Sequence, residues 1–472
     1  MPFTRSSARA IADRAIAGLA VAAVALSLSL TLLPAAPAQA ARLVDRIDGS
    51  DRYAASAAIS EELGTTSTVF LASGQSYPDA LAAAPVVVAE DAHMLLTAQH
   101  IIPWTIEREI RRLAPTRIVI VGGEPTISAD VQRQAAAIAP GARVERIAGA
   151  NRVETSMLLL DRLRRSVPAA DVWVASGRNF PDALAAGAVA AREGHGLVLT
   201  TGADAYFEQQ VSARLGGTSR FLMVGSSVSV GDDVASMLQR TGRTVERIAG
   251  PDRYSTAVAV NAAFTSTAPT GQLLLASGAN FPDALGGAVL SGATGSPLYL
   301  TNPPCASTTA VAVDAHRVGA TETVALGGPP SVSSAAAQLR TCDSIPAATA
   351  IASAVNANRA EQSPSVGALA RHGCLDAMAQ GWATQMAVRG LSGSVHNPNL
   401  TAQARGCGMR SWGENVGRTW GAQPNPEEIM ERWLASSGHT ANIQRGSSTL
   451  VGVGVARGAN GYWYYVLTFG TA

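Results

Sequence analysis

Three near-copies of one decapeptide constrain this chain more than any other feature: ASGQSYPDAL at 72–81, ASGRNFPDAL at 175–184 and ASGANFPDAL at 276–285. A second phrase keeps step with it, RIDGSDRY at 46–53, RIAGANRV at 146–153 and RIAGPDRY at 247–254, at intervals of 100 and 101 residues. A phrase that returns at domain-sized intervals builds an array of like domains, and 472 residues are too many for one core. The order between the landmarks is constant. TVFLASG, PDAL, MLLT and IVIVGG in the first copy become VWVASG, PDAL, LVLT and FLMVGS in the second, then LLLASG, PDAL, LYLT and VALGG in the third.

Within each copy, apolar runs of strand length rich in Val, Leu and Ile alternate with Ala-rich segments of helical length, such as Pro78–Glu90 and Ser128–Ala139. Continuous apolar strands alternating with helices imply a parallel sheet covered on both faces. The fold class is therefore α/β, as three tandem Rossmann-like modules that lack the G-x-G-x-x-G dinucleotide fingerprint. ASG closes a strand and Pro-Asp opens a helix, because Pro suits the first helical position and Asp complements the positive helix end. The carboxyl end of a strand feeding a helix is where open α/β sheets bind ligands. Asp79, Asp182 and Asp283, with Arg52, Arg152 and Arg253, are accordingly either binding residues or helix caps and inter-module partners.

Arg5, Arg9 and Arg14 precede an apolar run from Ala15 to Leu33 and an Ala38-Gln39-Ala40 cleavage pattern, so residues 1–40 are expected to be a signal peptide rather than a membrane anchor. No second apolar span follows, and no membrane span is expected after cleavage. Four cysteines suit an exported protein. Of the three possible pairings, Cys305–Cys342 with Cys374–Cys407 keeps each bridge inside one domain and is the one expected. With net charge +1 and 15% charged residues, the chain has no global excess to suggest nucleic acid.

The set R-I-x-G-x-[DN]-R, ASGxx[FY]PDAL, [LV]LT and [VL]GG or VGS resembles the cell wall-binding repeat type 2 family. The resemblance implies a pseudo-threefold assembly of modules at 41–145, 146–246 and 247–343. It also implies a secreted protein held non-covalently at the cell wall or surface of Gram-positive bacteria through an anionic polymer. The repeat region itself carries 24 Arg against 28 Asp and Glu, so an acidic polymer would need local Arg clusters or helix N-termini. Val153 in place of the tyrosine of the other two copies, and Gly225-Ser226 in place of Gly-Gly, set the second module slightly apart.

After Cys342 the repeat does not return; Asp343-Ser344-Ile345-Pro346 reads as a short linker to a domain at 344–472. Leu375, Met378, Trp382 and Met386 mark one buried helical face, and GVGVARGANGYWYYVLTFG at 452–470 reads as two strands joined at Gly458-Ala459-Asn460-Gly461. VHNPNL (395–400), SWGENVG (411–417) and RWLASSGHTANI (432–443) in this order resemble the CAP superfamily of cysteine-rich secretory, antigen 5 and pathogenesis-related 1 proteins. The resemblance implies an α-β-α sandwich whose cleft gathers His396, Glu414 and His439. The second family glutamate falls near Ser436 and is absent. The remaining three could bind a divalent cation such as zinc or form a hydrogen-bond network. Ser436, Ser437 and His439 lack a G-x-S-x-G elbow, so serine hydrolysis has little support. Two readings follow: a wall-anchored effector that binds an unknown ligand, or a wall-targeted metal-dependent hydrolase acting through His396, Glu414 and His439.

Overall fold

The apolar runs fold as strands, and their neighbours in space are all parallel across three four-stranded sheets. The computed structural model describes residues 43–264, 271–306, 310–362 and 365–472; the expected signal peptide at 1–40 lies outside them. The first sheet runs in the spatial order His93–Thr97, Thr68–Ser73, Arg117–Val121, Arg143–Ile147. The second runs Gly196–Thr200, Asp171–Ser176, Arg220–Val224, Thr244–Ile248, and the third Leu298–Thr301, Gln272–Ser277, Glu322–Leu326, Leu43–Ile47.

Repeat and sheet are thus offset by one strand. The R-I phrase that heads the second and third repeats ends the strand completing the sheet of the repeat before. The R-I phrase of the first repeat, on Leu43–Ile47, completes the third sheet, with Val44 opposite Thr323 and Ile47 opposite Leu326. The ring of three closes on itself.

Strand alternation explains the continuous apolar runs. Phe70, Ala72, Val119 and Val121 face a core shared with Val174, Leu184, Val189, Leu274 and Leu285 of the other repeats. Their alternating neighbours Val69, Leu71, Ile118 and Ile120 face a private core with Ile106, Ile110 and Val131. Period-two alternation places successive side chains on opposite faces, so a strand buried on both sides reads as unbroken hydrophobe. The helices Pro181–Glu193 and Pro282–Thr294 open at the Pro-Asp step as expected. The first repeat differs: Pro78–Ala83 form turns and the helix is confined to Ala84–Ala89. Pro85 is the reason, since it has no N–H to donate to Leu81 and its ring clashes with that carbonyl.

The C-terminal sheet is mixed, in the order Ala370–Arg371, Leu450–Arg457, Tyr462–Thr471, Ser411–Trp420, with the last three antiparallel. Helices Ser344–Gln362 and Pro426–Leu434 cover one face through Ile351, Val355, Ile429 and Trp433. Helix Gly373–Arg389 covers the other through Ala379, Trp382, Ala383 and Met386, giving the α-β-α sandwich. Gly452 and Gly454 let that helix lie directly on the strand, since a Cβ at either would collide with the Leu375 or Ala379 carbonyl group. The residues between repeats and sandwich do not form an extended linker. Ser344 is buried, bonds the Thr341 carbonyl at 2.7 Å and begins a helix whose first turn tolerates Pro346. Cys305–Cys342 and Cys374–Cys407 are both bridged, with Cα atoms 5.0 and 5.7 Å apart.

Candidate functional site

In the sandwich, three elements bring the histidines and the glutamate to one place. Strand Ser411–Trp420 carries Glu414, helix Ser437–Ile443 carries His439, and the connection before helix Leu400–Gly406 carries His396. Glu414 is buried, with Oε1 2.9 Å from His396 Nδ1 and accepting the Asn397 backbone N–H at 2.9 Å. Its other oxygen, Oε2, is buried and has no hydrogen-bond partner among the described residues. Burial pushes the Glu414 carboxyl above its ordinary range, opposed by the Asn397 N–H and His396. His439 is held below its ordinary range by burial and by the nearby His396 charge, and its Nδ1 is also unpartnered among the described residues.

Two asparagines fix this geometry, and the sequence reading missed them. Asn415 Nδ2 donates to the His439 carbonyl at 3.0 Å. Asn442 Nδ2 donates to the Glu414 carbonyl at 3.2 Å and to Asn415 Oδ1 at 2.9 Å, while Arg445 holds Asn442 Oδ1 at 2.9 Å. The signal was present in T-A-N-I after His439, because a position three residues on lies on the same helical face. Ser436 caps helix Ser437–Ile443 without a side-chain bond.

The donor chemistry of two imidazoles and a carboxylate suits zinc, but the placement does not complete a cage. Among the described residues no group of three His, Cys, Asp or Glu side chains stands close enough to hold a metal ion. His396 and Glu414 instead form a hydrogen-bonded pair, with His439 beside them.

In the repeats, each [DN]-R pair divides its labour. Asp51, Asn151 and Asp252 cap the helices that begin at Arg52, Arg152 and Arg253, accepting backbone N–H groups of the first turn. The arginines reach back to the ASG turns of their own repeats, donating to the carbonyls of Gly74, Gly177 and Gly278. Asp79 accepts the Thr126 hydroxyl at 3.2 Å, and Ser229 and Ser331 bond Asp182 and Asp283. Gly122, Gly225 and Gly327 sit against these carboxylates with positive φ, so a side chain there would meet both strain and the aspartate. Burial raises Asp182 and Asp283, countered by the serine hydroxyls and by Arg253 and Arg52, each from the next repeat around the ring. Arg253 with Asp182, and Arg52 with Asp283, are neighbours across repeat boundaries but form no ion pair among the described residues.

Residues 46–132, 146–235 and 247–337 match Cell wall binding domain 2, and residues 352–469 match the Cysteine-rich secretory protein family. The chain belongs to the cell wall binding domain 2 family. Among curated proteins it is 27% identical over 260 residues to N-acetylmuramoyl-L-alanine amidase LytC of Bacillus subtilis, covering 55% of this chain and 50% of that one. It is 30% identical over 251 residues to the amidase enhancer of the same organism, covering 53% and 33%. The chain therefore spans half or less of the length of these relatives. Among solved structures it resembles Cwp6 from Clostridium difficile (TM-score 0.57, 20% identity, 66% of this chain and 50% of that one). It also resembles Cwp8 from the same organism (TM-score 0.52, 25% identity, 61% and 49%).

One more set of residues in the cell wall binding domain 2 repeats escaped the sequence reading. Arg146 Nη1 donates to the carbonyls of Gly122 and Ile127, both at 2.8 Å, and Arg247 Nη1 to those of Gly225 and Val230, both at 2.9 Å. Arg46 does the same to Gly327 and Val332 of the third repeat. The arginine of every R-I phrase clamps the glycine loop of the sheet it completes. Among the described residues no helix is long and apolar enough to cross a membrane.

Proposed function

We propose that this protein is exported by a signal peptide at 1–40 and held non-covalently on the Gram-positive cell wall by its three repeats, which engage an anionic wall polymer. Its CAP domain presents the His396, Glu414 and His439 cleft to a ligand. The observation that carries the reading is that all three repeats match a wall-binding family. Arg52, Arg152 and Arg253 are the polymer contacts. Asp79, Asp182 and Asp283 keep the turns that aim them. The test is co-sedimentation of residues 41–472 with Gram-positive walls before and after extraction of the anionic polymers. Pelleting only with unextracted walls supports the reading, and a protein that stays in solution with both overturns it.

One observation favours hydrolysis as a second reading: a buried carboxylate with an idle oxygen, Glu414 Oε2, beside two imidazoles. Such a group is placed to take a proton from a bound hydroxyl or water. Alanine at His396 or His439 separates the readings. Loss of wall or peptide hydrolysis with unchanged folding supports the enzyme, whereas a change confined to ligand affinity supports the binding cleft.

A further inference from the structure

We infer that the three repeats bind one ligand between them, a single anionic sugar segment seated on the pseudo-threefold axis against Tyr77, Phe180 and Phe281 and ringed by Arg52, Arg152 and Arg253. This rests on the wall-binding reading and specifies its site and stoichiometry. Each aromatic residue immediately precedes a Pro-Asp step, and the three rings meet edge to face with centroids 5.5, 5.4 and 6.1 Å apart. All three are only partly buried, and Asn179 and Asn280, which precede the two phenylalanines, are exposed. Rings this close cannot serve three polymer chains, because one sugar chain already covers the cluster.

The arginines supply the charge. Each is oriented by one N–H on a glycine carbonyl, and none has a carboxylate within ion-pair distance among the described residues. A guanidinium fixed by backbone, with no carboxylate in ion-pair contact, keeps most of its planar fork for a phosphate or carboxylate. Arg253 stands with its Cζ 5.9 Å from the centre of the Phe180 ring, which ties that guanidinium to the aromatic cluster. Asp182 and Asp283 feel Arg253 and Arg52 across the repeat boundary but are buried and engaged by serine hydroxyls, and no ion pair joins them among the described residues. The whole arrangement lies at the carboxyl ends of the ASG strands, where sheet geometry leaves a crevice. Aromatic rings offer apolar contact to the C–H faces of a sugar, and the rim amides Asn179 and Asn280 suit its hydroxyls.

Isothermal titration of residues 41–472 with a size-fractionated fragment of purified anionic wall glycopolymer tests this. One fragment per chain is expected, and Arg52→Gln, Arg152→Gln and Arg253→Gln should each weaken binding about tenfold at unchanged stoichiometry. Phe180→Leu should also weaken it. Because Phe180 packs on its neighbours, the exposed pair Asn179→Ala with Asn280→Ala is a second probe that leaves the fold alone, and it too should lower affinity. Three fragments per chain, or arginine variants that each remove one third of the capacity without changing affinity, would overturn the axial site. So would full affinity in both the Phe180→Leu and the paired asparagine variants. A wild-type chain that takes up no fragment overturns the wall-binding reading itself, and the axial site with it.

Discussion

Among the described residues Arg359 has no carboxylate partner, yet it is one of the most deeply buried residues of the CAP domain, at 1% exposure. It donates to the carbonyls of Gly367, Ile443, Arg445 and Ser448, stitching helix Ser344–Gln362 to the chain that follows the His439 helix. Removing it strands several buried acceptors at once, so Arg359→Met should cost about 3 kcal/mol or more, read by denaturant unfolding of the CAP domain. His439 gives a pH signature. Its folded pKa is depressed, so it costs nothing above the unfolded value of about 6.5 and withdraws stability as pH falls below it. Glu414, raised by burial, works in the opposite sense, and His93 and His195 in the repeats share the sign of His439. The decisive comparison is therefore between wild type and His439→Gln, melted at pH 7.5 and pH 5.5. The variant should lose less stability on acidification, and equal losses would remove His439 as a source. At this scale the sequence exposed the chemistry but not its supports. His396, Glu414 and His439 stood out by type and motif. Asn415, Asn442 and the R-I arginines bond to backbone carbonyls, and of these partnerships only that of Asn442 left a trace in the sequence, in its place three residues after His439.

Among elements, the strands were the most legible and one helix the least. Unbroken apolar runs require burial on both faces, and every ASG strand has it. The turn at Pro78–Ala83 was legible in principle, because Pro85 stands seven residues after Pro78, where the other repeats have Ala188 and Val289. Helical periodicity hid it. In the sandwich, V-G-V-G-V alternates with a purpose: Val451, Val453 and Val455 pack on one layer while Gly452 and Gly454 admit helix Gly373–Arg389 on the other. That helix is also tied at its start by Cys374–Cys407, a bridge spanning 33 residues that include His396. Replacing both cysteines by serine should lower CAP-domain stability by about 3–4 kcal/mol through the restored freedom of the unfolded loop. Thermal unfolding followed by amide exchange at 374–407 checks this, and the repeats should melt unchanged.

For the whole molecule, the circular exchange of strands matters most, and it was the part least visible in the sequence. A period reports how often a unit recurs, but not which sheet a boundary strand joins. Here each R-I strand joins the sheet before it, so the third sheet depends on Leu43–Ile47, almost three hundred residues away along the chain. The dependence is double, since backbone pairing is accompanied by the Arg46 clamp on Gly327 and Val332. Deleting residues 41–48 should therefore leave Glu322–Leu326 as an open edge and free the loop at 327–332, while the first and second sheets keep all four strands. Hydrogen exchange should accelerate at 322–337 and hardly change at 117–121 or 220–224. A synthetic peptide of residues 41–50 should restore protection by filling the vacant edge, and an Arg46→Ala peptide should restore less. Uniform loss of protection across all three sheets would mean instead that the ring folds as one cooperative unit, with the closing strand holding every repeat in place.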